Sequence, residues 1–321
     1  MTNFKTFDPP PKWSTPHWDR RRFLKTGGGA VLWMAALGTG LSLPRLSAAA
    51  PPPDIAIAIG EKKAAVRAAV AELGGMETFV KPGQKVVIKP NMSFSGGPDA
   101  ATNTHPDVVK EIALLCREAG AGAIRVLDHP LHRNELCIEG VRSACEVIDD
   151  TVVESLSRSR FFKPAAIPDG TIMRETEVMA DVLDADILIA VPVAKSHSSA
   201  GVSLSMKGMM GLIWNRGIMH SRFDLHESIV DLATLLTPDL VIIDGSRVLS
   251  TNGPSGPGKV LRPDTIIASA DMVAADATAV TLFEWYGRRM PAEKVRHIRI
   301  AHERGLGRMD IGNLVTRKVT V

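Results

Sequence analysis

Only three of the 321 residues are cysteine, one is tyrosine, and aromatic side chains make up 5%. Ordinary [4Fe–4S] ligation takes four thiolates, and no two cysteines here stand in C-x₂-C spacing. A self-contained cluster is therefore not expected. No H-E-x-x-H or similar short metal spacing occurs, no G-x-G-x-x-G follows an expected strand, and no G-x-S-x-G offers a serine nucleophile. Gly253–Lys259 has the spacing G-x-x-x-x-G-K, but Val260 stands where a metal-binding Ser or Thr would follow. Two prolines also remove amide donors from that segment, and no helix is expected after it. It reads as an ordinary loop that could lie as a flap over a site. Internal repeats and low-complexity tracts are missing as well.

Net positive charge is missing from most of the chain. The formal charge is +3 and the isoelectric point about 8.8, which invites a nucleic-acid reading. Residues 1–49 hold seven Lys or Arg and two Asp, hence +5, so residues 50–321 carry −2. The bulk of the chain has no general case for polyanion binding, and no nucleic-acid partner is expected.

The leading segment has the form of an export signal. Arg20-Arg21-Arg22-Phe23-Leu24-Lys25 is similar to the twin-arginine motif, with Arg20 and Arg21 as the pair and Asp19 where Ser or Thr is commonest. Thr26–Leu43 is apolar and glycine-rich, at the lower length limit for crossing a bilayer. Ser47-Ala48-Ala49 supplies small residues for cleavage after Ala49. The expected organisation is a signal at 1–49 and one α/β domain at 50–321. The twin-arginine translocase is the expected partner and the periplasm, or another exported location, the destination. Membrane contact would be transient unless the signal is retained as an anchor.

With 45% hydrophobic and 23% charged residues, the chain reads as soluble and globular. Strands are expected at 54–59, 85–88, 124–127, 187–191, 240–243, 265–268 and 314–321. Helices are expected at 62–73, 106–119 with Thr104 as cap, 138–148, 178–183, 203–214, 225–236, 272–286 and 292–304. Residues 151–176 are weakly patterned and read as an antiparallel subregion. The alternation predicts a largely parallel sheet with helices on both faces.

In such sheets ligands bind beyond the carboxyl ends of the strands. Those ends are polar here: Lys89-Pro90-Asn91, Asp128-His129-Pro130, Lys195-Ser196-His197 and Asp244-Gly245. The segment 195–226 adds Lys207, Arg216, His220, Arg222 and His226. Several cations in one segment suit a phosphate or carboxylate, although a solvated basic face would carry the same residues. Lys207 and Trp214, seven apart, are expected on one helix face. Cys116 falls on an apolar helical stripe and reads as core. Cys137 and Cys145 could pair in an exported protein, but eight helical steps would separate them by ~12 Å, too far for a bridge. His132, His297 and His302 read as surface residues.

Several of these segments together resemble the DUF362 family. They are Val86-Val87-Ile88-Lys89-Pro90-Asn91-Met92, Thr102-Asn103-Thr104-His105-Pro106, and Ala119-Gly120-Ala121 followed by a strand and Asp128-His129-Pro130. Asp186–Val193 with Lys195 and His197, Ser203–Gly211, Arg216 with His220, and Pro238-Asp239-Leu240 leading to Asp244-Gly245 complete the set. The resemblance covers about 54–310. It implies the α/β fold and the site, and no particular reaction. Family members usually have Lys-Asn where this chain has Lys207-Gly208, and a ferredoxin-like module found in some members has no counterpart.

The expectation from residues and resemblance is an exported enzyme that binds an anionic small molecule through Lys89, Asn91, Lys195, Lys207 and Arg216. His197 or His220 would act as acid/base or metal ligand beside Lys195, with Asp128 and Asp244 orienting them or binding metal, and the open reaction class leans to redox or metal-assisted chemistry. A divalent metal on His129, His197 and Asp244 is a further expectation. The alternatives are a non-catalytic metal- or cofactor-binding accessory protein and a solute-binding domain.

Overall fold

The computed structural model describes residues 51–132, 138–148 and 151–321. Arg20 and Arg21 of the expected export signal, and Cys137 of the possible cysteine pair, lie outside them. Strands β1 (Ile55–Ile59), β2 (Lys85–Pro90), β3 (Ala123–Asp128) and β4 (Thr151–Ser155) alternate with helices α1 (Lys62–Glu72), α2 (Pro106–Glu118) and α3 (Glu139–Cys145). A separate hairpin follows, made by β5 (Phe162–Ala166) and β6 (Glu175–Met179), which pair antiparallel. A short helix, α4 (Ala180–Leu183), leads into β7 (Ile187–Val191), β8 (Val193–His197) and β9 (Gly201–Ser203). The second half holds helices α5 (Ser205–Gly208), α6 (Ile218–Ser221), α7 (Leu225–Leu235), α8 (Met272–Leu282) and α9 (Arg296–Glu303). Its strands are β10 (Leu240–Leu249), β11 (Val260–Leu261), β12 (Thr265–Ser269) and β13 (Thr316–Thr320).

The main sheet runs β13-β1-β12-β10-β7-β2-β3-β4. Pairs from β10 through β4 are parallel, as is β13 with β1, whereas β12 runs antiparallel to both β1 and β10. This is the mixed, mostly parallel α/β sheet the alternation predicts; of the stretch 151–176 expected to be antiparallel, the hairpin begins only at Phe162 and runs on to Met179, whereas 151–155 form β4, parallel to β3.

Successive strand residues alternate between two cores, as the period of two requires. Val86, Ile88, Ile187, Ile189 and Ile242 pack with Val66, Val70, Val109 and Ile112 from α1 and α2. Val87, Leu188, Ile243 and Ile267 pack on the other face with Ile229, Leu232, Val273 and Val280 from α7 and α8. Cys116 is fully buried in the first core, and burial pushes its thiol up to about 12.

Four local expectations are corrected. The cap of α2 is His105, whose side chain accepts from the Asp107 N–H. Thr104 instead accepts from the Asn91 N–H at 2.8 Å and donates to the Val191 carbonyl at 2.7 Å, tying two strand ends together. Residues 178–179 finish β6, and only 180–183 are helical. The helix expected over 203–214 is cut short: α5 is one turn, a 3₁₀ turn covers 209–212, and Ile213 is extended. Its apolar spacing reflects burial rather than helix length, since every residue from 205 to 213 is buried. Lys207 and Trp214 therefore do not share a helix face.

Candidate functional site

Pro192 divides what would be one long strand. β7 pairs with β2 and β10, and after the proline β8 continues beside β10 and β9. Lys195 and His197 thus stand on a strand rather than a loop, and their spacing of two puts both on one face. The carboxyl ends of β2 and β3 deliver Lys89, Asn91 and Asp128 next to them, as the strand-end rule predicts. A cavity of about 420 Å³ is lined by these five residues and by Lys207, Arg216, His129 and His220. Most of the residues expected at the site are brought together; Asp244, Arg222 and His226 do not line the cavity.

Asp128 is the one carboxylate among the described lining residues. Its Oδ2 accepts from the Met92 N–H and the Ser93 hydroxyl at 2.8 and 3.1 Å. Its Oδ1 lies 3.1 Å from Lys89 Nζ, in a pair whose side chains are 1% and 2% exposed. Lys89 also donates to the Pro90 carbonyl. Burial lowers the Lys89 ammonium below its ordinary value, and Asp128 opposes that fall.

Neither Lys195 nor Lys207 has a carboxylate of its own among the described residues. Lys195 Nζ donates to the Thr102 carbonyl at 2.6 Å and sits 4.8 Å from the centre of the Phe94 ring. Burial, reinforced by Lys89 and Lys207, pushes Lys195 down to about 7 against the pull of Asp128. Lys207 faces the cavity, and its ammonium has no hydrogen-bond or ion-pair partner among the described residues. Burial and the nearby Arg216 push it down to about 8. Arg216 donates to the His129 carbonyl and in that way borders the same space.

His197 Nδ1 accepts from the backbone N–H groups of Ser199 and Ala200, each at 3.2 Å. That acceptor role places the ring hydrogen on Nε2. Burial, followed by Lys207 and His220, pushes the imidazole down to about 3, so it is uncharged. His220 stacks against it with ring centres 6.2 Å apart. His220 is likewise lowered, chiefly by burial and then by Lys207 and Arg216.

The expected metal set is not assembled. Asp244 lies inside the long strand β10 rather than at its end. Its carboxylate binds Arg247 at 2.8 Å, the Ser246 hydroxyl at 2.6 Å and the His105 N–H at 2.8 Å. Those contacts make it a fully buried clamp on the 91–105 loop, away from the cavity wall. The His129 ring stacks on Trp214 at 5.3 Å, and its Nδ1 lies 3.0 Å from the Ile213 carbonyl. Among the described residues no group of three His, Cys, Asp or Glu side chains is placed to hold a metal ion. Asn91 also has a bridging duty, because its side-chain oxygen accepts from the Val193 N–H at 3.0 Å.

Several contributors carry little sequence signal. Phe94 and the Thr102 carbonyl come from the long 91–104 loop. Pro254, on the glycine-rich segment set aside as a nucleotide loop, reaches the cavity wall, in keeping with a flap. Asp276 is the one charged residue of α8, a legible anomaly. It accepts from Ser205 N and Oγ at 2.8 and 2.7 Å and from Met206 N at 3.0 Å, fixing the turn that carries Lys207. Burial pushes it up to about 6. His297 is fully buried rather than on the surface, and its Nδ1 lies 3.4 Å from His226 Nδ1.

Comparison with known proteins adds a family and a few distant likenesses. Residues 86–281 match the family model described as a domain of unknown function, DUF362. A thylakoid-associated protein of Synechocystis sp. is 28% identical over 227 residues, which cover 68% of this chain and 68% of the relative. The lactate racemase apoprotein of Thermoanaerobacterium thermosaccharolyticum aligns with a TM-score of 0.45 at 15% identity, over 72% of this chain. A Thermotoga maritima protein aligns with a TM-score of 0.43 at 11% identity, over 76% of this chain. The chain spans 57% and 60% of those two structures. Both likenesses are distant, and neither carries an activity over to this chain.

Proposed function

We propose, from the premise that the chain belongs to the DUF362 family, that its strand-end cavity binds an anionic small molecule and acts on it with Lys195 as proton acceptor. One observation carries the reading. Lys89, Lys195, Lys207 and Arg216 line the cavity, whereas Asp128, the one carboxylate among the described lining residues, is already engaged by Lys89. The three lysines are buried, and an incoming anion relieves the repulsion among them.

Lys207 is the group that takes the anion, with Arg216 beside it on the cavity wall. Lys195, near 7, divides between amine and ammonium at neutral pH, the condition that suits a proton acceptor. His197 presents an uncharged Nε2–H and supports negative charge developing on the substrate by donating to it. It does not serve as the base, because its Nδ1 lone pair is taken by two N–H groups. The leader at 1–49 and the thylakoid-associated relative support export by the twin-arginine translocase. A solute-binding or accessory protein would use the same anion contacts without needing a poised amine.

The test has two arms. Sulfate binding, read by calorimetry, weakens at least tenfold in Lys207→Met if the anion site is as described. Solvent-deuterium incorporation into a panel of small organic carboxylates, read by mass spectrometry, is lost in Lys195→Met while sulfate binding remains. Sulfate binding untouched by Lys207→Met refutes the site. No deuterium incorporation by the native protein into any member of the panel removes the enzyme reading and leaves a binding protein.

A further inference from the structure

Gly208 is a glycine that the backbone does not need. It closes α5 with φ −60° and ψ −32°, ordinary right-handed helix that any residue adopts. It is buried, yet a Cβ built there meets nothing within 4 Å. Gly211, three residues on, is the opposite case, since a Cβ there would collide with Asp128 and Lys89. Glycine in a helix forgoes the stability alanine would supply, and no close packing contact explains the choice at 208. The open space in front of it is the cavity, because Gly208 is one of the wall residues and follows Lys207 directly.

The cavity is also too large and too apolar for a bare oxyanion. Its volume is about 420 Å³, against ~30 Å³ for one water. Phe94, Leu131, Met210 and Pro254 share the wall with the cations. We infer that the ligand is an organic anion whose carbon body lies over Gly208, and that the missing side chain at this position sets how large that body can be. This deepens the anion-binding reading and rests on it.

Methanesulfonate and benzenesulfonate carry the same single charge, do not titrate near neutrality, and differ in bulk. The native protein is expected to bind benzenesulfonate at least tenfold more tightly, by calorimetry. Gly208→Leu is expected to remove most of that preference while leaving methanesulfonate within about threefold. Gly208→Ala, which serves if the leucine variant does not fold, is expected to melt no lower than the native protein and to reduce the preference in part. An unchanged preference in these variants overturns the inference alone, as does a Gly208→Ala melting point below the native value. If neither sulfonate binds the native protein, the anion reading falls and the inference with it.

Discussion

Gly211→Ala is the sharpest test of how the cationic wall is held. Gly211 lies against the buried Lys89–Asp128 pair and accepts the His129 N–H at its carbonyl, 2.8 Å away. A Cβ on Gly211 would stand 2.2 Å from Asp128 Oδ1, 2.7 Å from Lys89 Cε and 2.9 Å from Lys89 Nζ. Real Cβ atoms essentially never approach closer than 3.0 Å, so the carboxylate must retreat by most of an ångström. It cannot do so freely, because its other oxygen is fixed by Met92 and Ser93. Overpacking a core costs about 1–3 kcal/mol, and parting a buried ion pair costs about 3–5 kcal/mol. A displaced but surviving pair should cost about 3 kcal/mol, or a fall in Tm of roughly 6–12 °C.

Thermal and denaturant unfolding measure this cost directly, with Gly208→Ala as the comparison. The double variant Gly211→Ala with Asp128→Ala should lose less than the two single variants summed, by at least about 1 kcal/mol, because the second change removes the atom the methyl strikes. Unfolding of Gly211→Ala at the native midpoint would refute the close packing around the pair. Strict additivity would refute the collision as its cause.

Two further outcomes follow from the charges. Lys207 is lowered from 10.5 to about 8 in the folded chain, so between those values the unfolded chain holds the proton the folded chain has lost. Native stability should therefore rise with pH across that window relative to Lys207→Met, by an upper bound of about 3 kcal/mol; parallel pH–stability curves for the two would contradict it. His197 should stay uncharged with its hydrogen on Nε2 down to about pH 4, which ¹⁵N imidazole shifts report. Titration of His197 near its ordinary value would show that the ring is neither buried nor held by Ser199 and Ala200.

Much of the fold was legible because the strands are short apolar runs between punctuated helices. Val86–Ile88 and Ile187–Val191 read as buried parallel strands, and they are. Lys89, Asp128, Lys195 and His197 were legible because polar groups at the ends of such runs have few structural uses. The failures share a physical cause, which is that a local pattern does not report its partners. Asp244 resembled a strand end because Gly245 follows it, yet the strand continues through Leu249 beside β8 and β11. Met206, Met209, Met210 and Ile213 have helical spacing but belong to a compact turn wedged between α8 and the cavity, held by Asp276 from far along the chain. His297 looked peripheral because its helix is rich in charge, and only packing reveals its burial.

The central claim is that buried, underpaired lysines await an anion, and proton linkage tests it most directly. Sulfate titrated into the native protein at pH 8, in two buffers of different ionisation heat, reports protons gained or lost on binding. A bound anion restores Lys207 toward its ordinary value, so the account expects net proton uptake, between zero and about one per ion, which shrinks in Lys207→Met. Sulfate binding with no proton uptake, or uptake that Lys207→Met leaves unchanged, would contradict it.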